Sequence, residues 1–179
     1  MIDAFARRRA RLAGALARRR VALGFVAGAI TLVLARPTWS TWRIGLAIAL
    51  VGEAIRVWAA GHLEKSREVT RSGPYRWSSH PLYLGSSIVA LGVVVAARSV
   101  IVGVFVVIYM AVTVGAAIAI EERFLRERFG TTYDDYKRGA TSVERAFSLE
   151  RAMRNREYRA VAGMVLGFGI LALKIALSI

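Results

Sequence analysis

Apolar residues fall into five long runs separated by polar, basic connections. The runs cover 21–35, 44–62, 82–97, 100–120 and 160–179. A helix of about 20 apolar residues crosses the hydrocarbon core of a bilayer, and the first run reaches that length once its flanking arginines extend outward to the interface. The pattern predicts an all-α fold, a polytopic membrane helical bundle with about five transmembrane helices.

The whole chain, 1–179, is predicted to be a single membrane domain. Residues 1–20 are expected to form a basic amphipathic N-terminus, and 21–138 to form the core. Residues 139–179 are expected to add a basic segment and the last span. Phe124, Leu125 and Phe129 recur at helical spacing after the fourth run, so we expect that helix to continue until Gly130 stops it.

The basic residues indicate the orientation of the bundle. The connections at 1–20, 63–80 and 121–159 hold most of the Lys and Arg, whereas 36–43 and 98–99 hold few. Because basic loops stay on the cytoplasmic side, we expect the N-terminus in the cytoplasm and the C-terminus outside a plasma or inner membrane. The formal net charge of +14 then indicates anionic lipid as the partner, and we expect no nucleic acid.

Two charged residues interrupt the second run. Glu53 and Arg56 have an i, i+3 spacing, which places both on one helical face where they can pair. Charges at membrane depth usually face the interior of a bundle or a wet cavity. Either a structural ion pair or the floor of a ligand site fits this pattern.

Polar chemistry is concentrated in two stretches on the predicted cytoplasmic side. The connection 71–85 crowds glycines, two prolines, a histidine and aromatic residues between two spans, and its Gly-Pro and His-Pro pairs mark turns or helix boundaries. Glu121 and Glu122 stand together at the end of the fourth run. Two carboxylates are unfavourable at a helix C-terminus, so a cation or hydroxyl-rich ligand beside them would explain them, as would an ion pair with a neighbouring arginine. The chain has no cysteine, which excludes thiolate chemistry and Cys metal sites, and we expect no metal.

Together these stretches resemble a known family. Gly-Pro-Tyr-Arg-Trp-Ser-Ser-His-Pro-Leu-Tyr-Leu-Gly at 73–85, followed by Glu121-Glu122, Leu125, Phe129-Gly130, Tyr133 and Tyr136, is similar to the isoprenylcysteine carboxyl methyltransferases, relatives of the membrane phospholipid N-methyltransferases. The resemblance covers roughly 56–138. It implies an all-helical membrane methyltransferase with a cytoplasmic cofactor site, S-adenosylmethionine as cofactor and a lipophilic small molecule or lipid as acceptor.

The resemblance also implies site residues, carried over by position. Those expected to bind the cofactor are Arg67, Glu68, Val69, Thr70, Tyr75, His80, Pro81, Leu82, Tyr83 and Glu121. Those expected to be catalytic are Glu122 and Arg76. The chemistry suits the cofactor, since carboxylates can bind its ammonium or ribose hydroxyls and aromatic rings its adenine or sulfonium.

Two positions depart from the family pattern. The family has an arginine directly before His-Pro, where this chain has Ser79, and another about one turn before the acidic pair, where it has Ala116 and Ala117. Arg76 or Arg71 are the nearby candidates to replace them, and the loss weakens the prediction of a carboxylate acceptor. Two other functions remain open: a non-catalytic membrane scaffold of the same fold, and an NADPH-dependent enzyme like the membrane sterol reductases.

Overall fold

The computed structural model describes residues 24–65, 68–131 and 144–177, and within these ranges it contains helices and no strand. This confirms the all-α prediction. The elements in chain order are α1 (Gly24–Leu34), α2 (Trp39–His62), a 3-10 helix (Gly73–Arg76), α3 (Pro81–Ala97), α4 (Val100–Phe129), α5 (Leu149–Arg154) and α6 (Tyr158–Ala176). The predicted amphipathic start at 1–20 lies outside the described residues.

Local sequence signals explain where the helices begin and end. The Thr38 hydroxyl accepts from the Thr41 N–H, and the Thr41 hydroxyl accepts in return from the Thr38 N–H. This capping box starts α2 at Trp39, five residues before the apolar run begins. Pro81 opens α3, where a missing N–H costs nothing. Gly130, at φ 51°, ends α4 as the sequence predicted.

Helices α2 and α3 are antiparallel and pack closely through facing glycines. A Cβ on Gly52 would lie 2.7 Å from the carbonyl oxygen of Gly85, and a Cβ on Gly92 would lie 2.5 Å from that of Gly45. Small residues that bring two backbones into contact are the usual means of helix association in membranes. The seven-residue repeat of glycine on both helices keeps this contact over two turns of each.

An apolar core closes one end of the bundle, formed by the α1–α2 connection, the first half of α2, the end of α3, the start of α4 and the second half of α6. Its buried members are Ala35, Ala49, Ala96, Ala97, Val102, Phe168 and Leu171. The indole N–H of Trp42 donates to the Phe168 carbonyl at 2.8 Å, and Lys174 donates to the carbonyls of Leu32 and Val33 at the end of α1. The polar residues of the connection 63–80 lie at the opposite end, where α2 ends and α3 begins.

The protein is an integral membrane protein by the length and composition of its helices. Helices α2, α4 and α6 are long and apolar enough to cross a bilayer, and α1 and α3 are shorter apolar helices. All five apolar runs are helical over their described residues except Ala35 and Leu177, which lie just past helix ends. Helix α4 leaves large apolar side chains such as Val107, which is 66% exposed, on its outer face, as expected of a helix surrounded by lipid.

Candidate functional site

A cavity of about 390 Å³ lies at the polar end of the bundle. Three parts of the chain enclose it: the connection after α2, the first turn of α3 and one face of α4. Its lining residues are Leu63, Glu64, Lys65, Glu68, Val69, Thr70, Tyr75, Ser79, His80, Pro81, Leu82, Tyr83, Thr113, Ala116, Ala117, Ile120, Glu121, Phe124 and Leu125. This volume is within the range of about 300–1,000 Å³ that is typical of small-molecule sites.

The imidazole of His80 lies between the two carboxylates of α4. Its Nε2 is 3.3 Å from Glu122 Oε1, and its Nδ1 is 4.0 Å from Glu121 Oε2. His80 is the residue before Pro81 and caps α3, so the proline fixes the backbone from which the ring projects. The structure therefore joins the two stretches that the sequence singled out, although 42 residues separate His80 from Glu122.

The 3-10 helix supplies the aromatic side of the cavity. Tyr75 is 7% exposed, and the backbone leading to it turns at Gly73 with φ 58°. A Cβ on Gly73 would lie 2.5 Å from the His62 ring, so glycine is required here both by the backbone and by the neighbouring side chain. His62 is also within hydrogen-bond distance of Ser72, with 3.1 Å between Nδ1 and Oγ. These contacts hold the loop, and Tyr75 with it, against the end of α2.

The segment 144–157 forms ion pairs with Glu64 and Glu68, which line the cavity. Glu64 pairs with Arg151 at 2.9 Å, and Glu68 pairs with Arg145 at 2.6 Å. The hydrogen bond to Glu68 raises the pKa of Arg145 above its ordinary value, so this guanidinium stays charged. The Asn155 amide donates to the carbonyls of Ala60 and Leu63 at 2.8 and 2.9 Å, which satisfies the end of α2.

Glu53 and Arg56 form the ion pair that their spacing predicted, with 3.4 Å between Oε2 and Nε. Arg56 also pairs with Glu157 at 2.6 Å and donates to the Ser86 hydroxyl. Neither Glu53 nor Arg56 is among the residues that line the cavity. The arginine thus links α2 to α3 and to the start of α6, and the structural interpretation of the pair is the one that the contacts favour.

Most of the site residues expected from the sequence line this cavity. They are Glu68, Val69, Thr70, Tyr75, His80, Pro81, Leu82, Tyr83 and Glu121. Glu122 contacts the ring of His80 from behind the lining, and Arg76 is exposed and lies outside the lining. Arg67 lies outside the described residues. The roles of all these side chains stay predictions.

The sequence did not single out the face of α4 that completes the cavity. Thr113, Ile120 and Phe124 lie on this face together with the two alanines that replace a family arginine. From Glu121, two steps of four residues back reach Ala117 and Thr113, and one step of three forward reaches Phe124, because such steps stay on one side of a helix. Ile120 directly precedes Glu121. Glu64 and Lys65 were also missed, although they stand directly before the expected wall at 67–70.

A helical membrane protein with a cavity at one end of its bundle is the class that this fold and site define. The model of the phospholipid methyltransferase family matches residues 20–132, and the chain belongs to that family. The match includes the 71–85 stretch and both glutamates, and it ends before the segment 144–157.

Among curated proteins, the chain is similar to the nickel-cobalt-cadmium resistance protein NccN of Alcaligenes xylosoxydans xylosoxydans. The two are 29% identical over 111 residues, which is 61% of this chain. The aligned part spans about half, 50%, of the length of that relative. No solved structure matches the chain.

Proposed function

We propose that this protein is a membrane methyltransferase that uses S-adenosylmethionine and acts on a lipophilic acceptor. The observation that carries the proposal is the meeting of His80 with Glu121 and Glu122 at one cavity, in a chain of the phospholipid methyltransferase family. The cofactor supplies an electrophilic methyl group bound to a sulfonium. The contribution of the protein is to bind, to orient and to exclude water.

The lining residues fit the chemical groups of this cofactor. Glu121 is 39% exposed at its side chain and can accept hydrogen bonds from an ammonium or from ribose hydroxyls. Tyr75 and Tyr83 offer aromatic faces, which suit an adenine or a sulfonium. Glu64 and Glu68 each form an ion pair, with Arg151 and Arg145 respectively.

The acceptor would approach from the side of α4. That wall is formed by Thr113, Ala116, Ala117 and Ile120, which are small or apolar, and the outer face of the helix is exposed along the same turns. A lipophilic molecule could therefore reach the cavity from the bilayer without crossing a charged surface. We place this end of the bundle in the cytoplasm, because it carries the basic connections.

Ligand binding to purified protein in detergent tests the proposal. S-adenosylhomocysteine at about a hundred times its dissociation constant should raise the free energy of unfolding by roughly 2.7 kcal/mol, visible as a higher unfolding temperature. NADPH should have no such effect. Glu121→Gln should weaken the response, because it removes the negative charge from the cavity while keeping the size of the side chain.

Glu127→Gln is the matched control. Glu127 lies on the same helix, is exposed, and pairs with Arg123 outside the cavity at 2.7 Å, so this variant should respond as the unmodified protein does. A response to NADPH alone would favour the reductase, and no response to either ligand would favour the scaffold. Either result would overturn the proposal.

A further inference from the structure

The two nitrogens of His80 have different surroundings. Nε2 is within hydrogen-bond distance of Glu122 Oε1, at 3.3 Å, and a carboxylate can only accept, so Nε2 carries the hydrogen of a neutral ring. When the ring is neutral, the lone pair is therefore on Nδ1. This atom is buried, has no hydrogen-bond partner within the described part of the chain, and is 4.0 Å from Glu121 Oε2, beyond hydrogen-bond distance.

An imidazole oriented by a carboxylate on one nitrogen, with an unpartnered lone pair on the other, is the arrangement of a general base. His80 lines the cavity, and its side chain is 15% exposed, so the ring is close to a bound ligand but largely shielded from water. A buried nitrogen without a hydrogen-bond partner costs free energy, and a catalytic role is one of the explanations for such a group in a native structure.

From this geometry we infer that His80 is the catalytic base of the methyl transfer, and that Glu122 is the residue that positions it. The inference rests on the proposed function and gives His80 a role beyond holding the cofactor. Glu122 acts through the ring, because it contacts Nε2 and is not among the residues that line the cavity.

The step balances as follows for an acceptor X–H, with X nitrogen, sulfur or oxygen. The electron pair of X forms the bond to the methyl carbon, and the pair of the broken carbon–sulfur bond stays on sulfur, which becomes neutral. The proton of X–H moves to Nδ1 of His80 and leaves later to water. The positive charge that the ring gains is then stabilised by two neighbouring carboxylates, those of Glu121 and Glu122.

A base defines the class of the acceptor. A carboxylate carries no proton to remove, and the family arginines that would hold it are replaced here by Ser79 and by Ala116 and Ala117, all of which line the cavity. A protic nucleophile, such as an amine, thiol or hydroxyl, needs both the proton acceptor and an uncharged wall. The acceptor we expect is therefore protic and lipophilic.

Several charged or titratable groups surround this ring. Glu121 and Glu122 face it from α4, and the Tyr83 ring lies 5.8 Å from it on α3. Glu64, Lys65 and Glu68 line the same cavity from the connection after α2. Glu64 and Glu68 form ion pairs with arginines. The carboxylates within 4.0 Å of the His80 ring are those of Glu121 and Glu122.

The tautomer can be observed without any ligand. The chain has two histidines, so ¹⁵N labelling of histidine gives signals from two residues, and His80→Gln assigns them. We expect the His80 ring to carry its hydrogen on Nε2 at mildly alkaline pH, with Nδ1 unprotonated, and Glu122→Gln to change this distribution. A neutral ring with its hydrogen on Nδ1 would overturn the inference.

Kinetics with three acceptors of equal chain length give the second readout. Dodecylamine and dodecanethiol should be methylated, and dodecanoic acid should not. For dodecanethiol, which keeps its own proton at acidic pH, log kcat/KM should rise with unit slope as the pH rises through the acidic range. Glu122→Gln should lower kcat by about 10²–10⁴-fold, the usual contribution of a general base, with its S-adenosylhomocysteine stabilisation retained.

The outcomes separate this inference from the proposed function. If S-adenosylhomocysteine fails to stabilise the unmodified protein, the methyltransferase proposal fails. If it binds, and Glu122→Gln keeps both the rate and the pH profile, the assignment of the base alone is wrong. Methylation of dodecanoic acid in preference to the amine and thiol would also refute it. The tautomer measurement can refute the assignment even where none of the three probes reacts.

Discussion

Glu64 and Arg151 form an ion pair of 2.9 Å that ties the wall of the cavity to α5, although 87 residues separate them in the sequence. Their side chains are 17% and 15% exposed, so the pair is partly shielded from water, unlike surface pairs that contribute little. The same guanidinium donates to the Gly61 carbonyl at 2.5 Å. One side chain of the segment 144–157 thus holds both the end of α2 and the residues that follow it.

Arg151→Ala should lower the free energy of unfolding by about 1–3 kcal/mol, because hydrogen bonds from a charged group are lost and the Glu64 carboxylate loses its ion pair with Arg151. Denaturation of the purified protein in detergent measures the change. Arg154→Ala is the control, since that side chain is 52% exposed and lies 3.5 Å from Glu64, and it should cost at most about 1 kcal/mol. Equal losses in the two variants would contradict this account of the clamp.

Gly52→Ala should separate α2 from α3. The new Cβ would lie 2.7 Å from the Gly85 carbonyl oxygen, and backbone cannot yield as a flexible side chain does. Overpacking of this kind costs about 1–3 kcal/mol, measurable as a lower unfolding temperature. Gly167→Ala on α6 is the matched control, because open space surrounds that position. The control should be neutral or stabilising by up to about 1 kcal/mol, the difference in helix propensity.

Arg56→Leu should be the most destabilising change in the bundle. It leaves Glu53 and Glu157, which are 5% and 7% exposed, without their shared cation. Breaking a buried ion pair from one side costs about 3–5 kcal/mol, so a sharp fall in folded yield is expected. Glu157→Gln should cost less, since Glu53 still balances the arginine. A milder effect for Arg56→Leu than for Glu157→Gln would show that the arginine is not the centre of this network.

Arg76→Ala tests a catalytic role that came from the sequence. The side chain is exposed on the 3-10 helix and lies outside the cavity lining, so the variant should keep its stabilisation by S-adenosylhomocysteine and its unfolding temperature. If Arg76→Ala unfolds at the normal temperature but is no longer stabilised by S-adenosylhomocysteine, Arg76 contributes to ligand binding after all.

The elements and the meeting of the two polar stretches could be predicted from local patterns. Helix α4 extends to Phe129 because apolar residues keep their helical spacing past Glu121, and Gly130 is the residue that can take the positive φ at its end. His80 and the glutamates of α4 lie at the same end of the bundle because the number of spans between them is even. That count needed only the apolar runs.

The docking of the segment 144–157 could not be predicted in this way. Asn155 binds carbonyls of α2 that lie more than 90 residues earlier, and carbonyls are present at every residue, so no pattern marks those partners. The glycines of α2 and α3 that pack together are Gly45, Gly52, Gly85 and Gly92. The register that places Gly52 opposite Gly85 depends on the packing of the two complete helices. The sequence of either helix alone does not determine it.

The ammonium of Lys174 has a consequence for biogenesis. It satisfies the carbonyls of Leu32 and Val33 from the far end of α6, so an early helix depends on a late one for its final hydrogen bonds. The ribosome releases α1 long before α6, and until then those carbonyls stay with lipid headgroups or water. The bundle can therefore complete the hydrogen bonds at the end of α1 only after α6 has entered the bilayer.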